Sequence, residues 1–375
     1  MSLIFRICMS ISQSREALKK LKEYKKKAEI ELHLLFAQEL VASKEIDTTA
    51  HEVVRALEEY TLRGGKRIRA ALTFYGFQCF SNEKIPNGLV RASVAMELLQ
   101  SFLLIHDDII DRDDLRRGGD TMHKIFEKRG AHDFSFHIGD GEREHFGNAL
   151  AILAGDICFS LANIALARAD VSHKVEAMCV LNMVARDTTF GQVLDVRSGY
   201  SDIIPQKTIA TTLKIYTLKT AAYSIEVPLK LGAILAGARD TEVEAIKEYA
   251  EPLGVAYNIQ DDLLGMFGER EKFGKPIGSD VREGKKTLLL LKTLEYATKK
   301  DRVFIQNNVG DKNISDDVIE EIKKIMLTTG AVDYCTKYAR SLIVKSKKIM
   351  NEKKYHEEGK SFLLGIGDYL LEREC

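Results

Sequence analysis

The sequence predicts an all-α protein, and three observations lead there. Only five prolines occur among 375 residues, so few positions forbid a helix. Apolar residues recur at helical spacing along most of the chain. No alternating strand series stands out, and no GxGxxG follows a strand.

The elements follow in order. Residues 14–41, SREALKKLKEYKKKAEIELHLLFAQELV, read as one long amphipathic helix with a charged face. They fall within a helical extension expected over 1–48, ahead of a main helical domain over 49–375. Residues 88–110, GLVRASVAMELLQSFLLIHDDII, are apolar at helical spacing and then on nearly every side, as a buried central helix requires. Residues 129–147, rich in Gly, His and charge, read as a flexible loop. The irregular spacing of His132, His137 and His145 there fits a solvated loop better than a metal site. Residues 241–267 carry another helical pattern, with Pro252 expected as a break or a helix start. Residues 268–287, GEREKFGKPIGSDVREGKKT, read as a lysine-bearing loop, and 359–374 as a closing helix.

Composition narrows the function classes. Lys plus Arg equals Asp plus Glu at 55 each, so a chain-wide basic footprint for nucleic acid is absent. No run of 18 apolar residues lacks a charge, so no membrane span is expected. The six cysteines form no CxxC pair, which fits buried thiols in a reducing cytoplasm.

The chemistry lies in two aspartate clusters. In LLIHDDIIDRDDLRRG, Asp107 and Asp111 are four apart and share a helix face, with Asp108 alongside. Carboxylates this close repel one another unless a cation intervenes. Oxygen ligands without His or Cys suit magnesium. A second pair, Asp261 and Asp262, sits on the apolar helix YNIQDDLLG. Two such helices facing each other would make an acidic mouth over an apolar interior. Magnesium held by few carboxylates takes further ligands from water and phosphates, so the expected ligand is a phosphate or diphosphate. Basic residues agree: RGGKRIR sets Lys66 and Arg69 three apart, on one helical face, just after a Gly-Gly turn. Arg116 and Arg117 follow the first cluster, and Lys219, Lys275, Lys285 and Lys286 lie in or near loops and helix ends.

Taken in order, GGKRIR, LLIHDDIIDRDDLRRG, GQVLD, KTA, YNIQDDLLG and FGKPIGSDVREGKKT resemble the trans-type polyprenyl diphosphate synthases, the head-to-tail prenyltransferases. The resemblance covers roughly residues 50–370. It implies helices around a deep apolar cavity, usually in a homodimer, and two to three Mg²⁺ ions. It implies condensation of isopentenyl diphosphate with an allylic diphosphate, with geranylgeranyl diphosphate as the expected product and farnesyl or geranylfarnesyl diphosphate as alternatives. Carried over by residue, Asp107, Asp111 and Asp261 are expected to bind metal, supported by Asp108 and Asp262. Lys66, Arg69, Gln100 and Arg117 are expected at isopentenyl diphosphate. Arg116, Lys219, Thr220, Asn258, Lys275 and Lys285 are expected at the allylic diphosphate. Gln192 and Asp195 would line the reaction centre, and Phe102 and Leu103 would set chain length.

Three departures mark this chain. Gln100 stands where the family often has His, Gly265 where the second motif often ends in Asp, and Asp120 where Pro is common. A terpene cyclase usually lacks GGKRxR, and a phosphohydrolase would need further ordered His and Asp ligands. A non-catalytic partner subunit tends to lose the aspartate pairs, and both are present here.

Overall fold

The computed structural model describes residues 3–133, 139–201, 205–268 and 277–372. Among them, sixteen α-helices and one π-helical segment account for nearly all regular structure. In order they are α1 (Leu3–Ile46), α2 (Thr48–Leu62), α3 (Ile68–Phe80) and α4 (Leu89–Asp111). A hairpin of β1 (Leu115–Arg116) and β2 (Gly119–Asp120) follows, antiparallel, with Leu115 opposite Asp120. Then come α5 (Met122–Asp133), α6 (Asp140–Ala167), α7 (Lys174–Gly199) and α8 (Pro205–Ile215). The π segment spans Tyr216–Glu226, followed by α9 (Val227–Leu235) and α10 (Asp240–Phe267). The chain closes with α11 (Ser279–Arg282), α12 (Leu288–Tyr296), α13 (Lys299–Asn308), α14 (Asp316–Thr328), α15 (Ala331–Glu352) and α16 (Glu357–Glu372).

Most of the helices predicted from periodicity are present, with three corrections. α10 runs through Pro252 without ending. Much of the stretch expected as a loop over 129–147 is helical, since α5 reaches Asp133 and α6 starts at Asp140. Asp140 and Glu142 explain that start, because acidic side chains in a first turn complement the exposed N–H groups. His137 lies outside the described residues. Finally, two helices, α4 and α6, are long and apolar enough to cross a membrane by length and composition. Each is instead partly buried within the protein, 61% and 44% of the most apolar stretch respectively.

The chain divides into two compact units. The N-terminal unit comprises Lys19–Leu181 with Leu231–Gly237. Its core is α4 laid along α6, with α3 on α4 and α5 on α6. Leu98, Leu99 and Ile105 of α4 are fully buried, as are Ala151, Ala154 and Cys158 of α6. Small residues let the two helices approach closely. A Cβ on Gly155 would come within 2.3 Å of the His106 imidazole. Tyr24 of α1 is hydrogen-bonded to Ser93 of α4.

The C-terminal unit comprises Met1–Leu18, Asn182–Lys230 and Ala238–Cys375. Here α10 packs against α15 and the π segment, and α12 packs on α8 and α15. The Tyr249 hydroxyl donates to Leu363 O at 3.0 Å, and Ser346 Oγ donates to Tyr249 O at 2.8 Å. These bonds tie α10 to α15 and α16. Cys79, Cys158 and Cys335 are buried free thiols, while Cys179 is exposed.

Candidate active site

In the N-terminal unit the site begins at the C-terminal end of α4. The last turn carries Asp107, Asp108 and Asp111, and Arg112 closes it in the left-handed region (φ 58). A helix C-terminus already carries partial negative charge, so three added carboxylates favour a cation there. Adjacent helical residues point about 100° apart, and the pair divides accordingly. Asp107 is half-buried, whereas Asp108 is fully buried.

Both oxygens of Asp108 are engaged by side chains of the protein. Arg116 Nε donates to its Oδ1 at 2.8 Å, Arg116 Nη2 binds the same oxygen, and the Tyr60 hydroxyl donates to Oδ2 at 2.7 Å. Burial pushes the Asp108 carboxyl up to about 6, against the pull of Arg116 and Tyr60. At neutral pH it remains ionised beside the guanidinium. Arg116 also reaches Asp113 Oδ2 at 3.1 Å. None of these bonds uses its Nη1 edge.

The basic cluster is built from backbone that side chains rarely adopt. Gly64 (φ +65), Gly65 (φ +82) and, one residue on from Lys66, Arg67 (φ 59) take left-handed conformations. Lys66 therefore precedes α3 and does not share a helical face with Arg69, as its spacing had suggested. Glu97 of α4 fixes the start of α3. Its Oε1 accepts from Ala70 N at 3.1 Å and its Oε2 from Arg67 Nη1 at 3.4 Å. A carboxylate from another helix thus does the work of an N-cap.

Arg117 lies across this loop. Its Cδ is 3.7 Å from the position a Cβ on Gly64 would take, and its Cζ is 3.6 Å from that on Gly65. Burial, with the like charges of Arg67 and Arg69, lowers its affinity for a proton. Held together this way, the cations are poised for an anion. Gln100 is half-buried on α4. Phe102 is half-buried, with its ring 4.8 Å from that of His106 and 5.0 Å from that of Phe159. Leu103 is half-buried beside it in sequence.

The C-terminal unit supplies a second constellation. The π segment carries Lys219 and Thr220 and is gripped by two glycines. A Cβ on Gly191 of α7 would lie 2.9 Å from Lys219 N, and one on Gly254 of α10 would lie 2.3 Å from the Ala221 Cβ. Lys219 Nζ donates to Asp195 Oδ2 at 2.8 Å. Gln192 is half-buried, and both atoms of its amide lack a hydrogen-bond partner among the described residues. Buried amides normally find partners, so this one is suited to a ligand.

Two expectations change here. Asn258 Nδ2 donates to Gly254 O at 3.0 Å and Tyr216 O at 3.4 Å. Its amide N–H groups serve the backbone, pinning the π segment to α10, and are not presented to a phosphate. Asp262 accepts a hydrogen bond from the Tyr216 hydroxyl, whose oxygen also accepts from Leu288 N at 2.8 Å. Loss of hydration and the Asp280 and Asp261 carboxylates push Asp262 well above the usual carboxylate range. Like Asp108, it accepts a hydrogen bond from a tyrosine hydroxyl.

Asp280, which no motif had singled out, joins this acidic group. Lys285 Nζ stands 2.7 Å from Glu283 Oε2 and 3.9 Å from Asp280 Oδ1. Lys286 is buried and donates to Ser198 O and Ser201 O at the end of α7. Lys275 lies outside the described residues. Among the described residues no three His, Cys, Asp or Glu side chains form a ready-made metal cage. Magnesium needs none, because it keeps waters and takes substrate oxygens beside one or two carboxylates. The carboxylate donors at the end of α4 suit that ion, and so, taken separately, do those on α10.

Residues 51–326 match the family model described as polyprenyl synthetase. The chain belongs to the polyprenyl synthetase family. It is a prenyltransferase of that family. The chain is similar to the short chain isoprenyl diphosphate synthase of Methanothermobacter thermautotrophicus, with 32% identity over 90% of this chain and 95% of that one. It is similar to the geranylfarnesyl diphosphate synthase of Aeropyrum pernix, with 31% identity over 83% and 91% of the two chains. The crystal structure of geranylgeranyl pyrophosphate synthase from Corynebacterium glutamicum, complexed with isoprenyl diphosphate and magnesium, superposes with a TM-score of 0.85. That alignment has 30% identity and covers 94% of this chain and 99% of that one. The polyprenyl synthetase chain thus has the all-α isoprenoid synthase fold.

Proposed function

We propose that this polyprenyl synthetase condenses isopentenyl diphosphate with allylic diphosphates to make a short-chain prenyl diphosphate, with geranylgeranyl diphosphate (C20) as its main product. The observation that carries the reading is Arg117 lying across Gly64 and Gly65 within the field of Arg67 and Arg69. Glu97 and Glu29 pair with Arg67, and three guanidiniums with Lys66 around these two carboxylates leave a net positive charge that suits a diphosphate.

In this reading Lys66, Arg69, Arg117 and Gln100 hold isopentenyl diphosphate. Arg116, through its remaining Nη1 edge, holds the allylic diphosphate with Lys219, Thr220, Lys275 and Lys285. Asp107 and Asp111 on α4, and Asp261 on α10, would hold two to three Mg²⁺ ions. Bound magnesium would stabilise the negative charge that develops on the leaving diphosphate. The cationic side chains act on the same charge and are fixed in place beforehand. As the allylic C–O bond breaks, its electron pair leaves with diphosphate. The isopentenyl double bond then attacks the allylic carbon, forming the new C–C bond, and a neighbouring carbon loses a proton to the released diphosphate. The Gln192 amide lines the reaction centre, and apolar walls keep water from the cation.

Product length rests on Phe102. Relatives near 30% identity carry names for different products, so overall similarity does not set it. Phe102 stands five residues before Asp107, where its ring can floor the cavity, and Phe159 backs that ring at 5.0 Å. Phe102→Ala is expected to lengthen the main product by at least one isoprene unit. Chromatography of the dephosphorylated alcohols checks this, and an unchanged profile removes Phe102 as the floor.

The reading as a whole is tested by incubating the protein with Mg²⁺, isopentenyl diphosphate and each of the C5, C10 and C15 allylic diphosphates. Elongation to C20 is expected, and none with any primer overturns the assignment. The family's usual homodimer is part of the proposal. α6 leaves Ile152, Leu153 and Ile157 exposed, which suits a partner surface. The same preparation should then sediment at twice 42.2 kDa.

A further inference from the structure

We propose that Arg63 is a positioning residue for the isopentenyl diphosphate site, latching the turn that bears Arg117 onto the loop that bears Lys66. The inference rests on the reading of Arg117 and Lys66 given above.

Arg63 closes α2 and immediately precedes Gly64. Its guanidinium is shared between three groups. Nε donates to Glu59 Oε1 at 2.7 Å, and Nη2 binds the other oxygen of that carboxylate. Nη1 donates to Asp120 O at 2.8 Å and to Arg116 O at 3.2 Å. In return, Arg117 Nη1 donates to Arg63 O at 3.1 Å. Segments more than 50 residues apart in sequence are thereby joined on both sides of Arg117.

The hairpin is shaped to receive this side chain. A Cβ on Gly119 would lie 2.4 Å from Arg63 Nη1, so any larger residue would push the guanidinium from its place. Asp120, which departs from the family's proline, contributes twice. Its carbonyl accepts from Arg63, and its carboxylate pairs with Lys128 of α5 at 2.6 Å. Arg117 itself sits in the left-handed region (φ 54). A non-glycine residue persists there only where its surroundings hold it. Lysine replaces the latch only in part, because one ammonium lacks the planar fork that reaches a carboxylate and two carbonyls together.

Arg116 has its own anchors in Asp108 and Asp113, whereas Arg117 depends on the latch. The effect should therefore be selective. Arg63→Met is expected to raise KM for isopentenyl diphosphate about tenfold, as the loss of two or three hydrogen bonds implies. KM for the allylic substrate and kcat should stay nearly unchanged, the pattern of lost uniform binding. Arg63 borders a cleft of about 330 Å³ together with Arg55 and Arg129. Water can enter there, so the shorter side chain leaves no dry void. Arg63→Lys, a milder change, should show the same selective rise at smaller size.

The experiment measures both KM values and kcat for the wild type, these two variants and Arg117→Met. A selective rise in both Arg63 variants supports the latch. If Arg117→Met raises KM for isopentenyl diphosphate and neither Arg63 variant does, the latch is wrong while the site reading stands. Equal loss for both substrates with lower kcat makes Arg63 merely structural and also overturns it. If Arg117→Met leaves KM unchanged, the site reading fails and the latch with it.

Discussion

Asp107→Ala is expected to cut turnover by about two to three orders of magnitude, the scale seen when a group stabilising transition-state charge is lost. The fold should survive. Asp107 is half-buried at the last turn of α4, and its carboxylate adds to negative charge already at that helix end. Removing it weakens the hold on magnesium. Steady-state kinetics and a thermal melt by circular dichroism check both halves. Substantial activity in the variant would contradict the metal role.

Asp108→Ala, one residue further, should fail differently. It leaves the Arg116 guanidinium, only 16% exposed, beside an empty space. Breaking a buried ion pair by removing one partner costs about 3–5 kcal/mol. The Tyr60 hydroxyl loses its acceptor as well. Urea denaturation should therefore separate the neighbours, with a large fall in midpoint for Asp108→Ala and little change for Asp107→Ala. Equal midpoints would show that Arg116 finds other partners and that Asp108 does not anchor it.

That contrast shows what the sequence could and could not disclose. The helices were legible because apolar spacing along α4 and α10 records burial directly. The aspartate pairs were legible as chemistry, since carboxylates on apolar helices need a cation or a counter-charge. The division of labour within each pair was present too. Neighbours about 100° apart on a helix cannot both face one ligand, and Asp108 follows the buried Ile105 by three residues. Its partner Arg116 could not be chosen from several nearby arginines without the hairpin at 115–120. That hairpin is too short to leave a periodic trace. The role of Glu97 was equally hidden, because a cap donated by a different helix has no local spacing. Tyr216 lies outside the quoted motifs and Asp280, though inside FGKPIGSDVREGKKT, had no role assigned to it; their importance appears only with Asp262 beside them.

The π segment also sets a rule for editing this chain. An α-helix repeats its hydrogen bonds from residue i to i+4, whereas Tyr216–Glu226 closes them to i+5. Deleting a single residue here is therefore not a local shortening. The stretch could regain ordinary pairing, but side chains beyond the deletion would turn by about 100° relative to those before it. Lys219 would leave Asp195, or Ala221 would leave the notch at Gly254, depending on where the cut fell. A change of length in this stretch therefore shifts several contacts at once, where a substitution touches one.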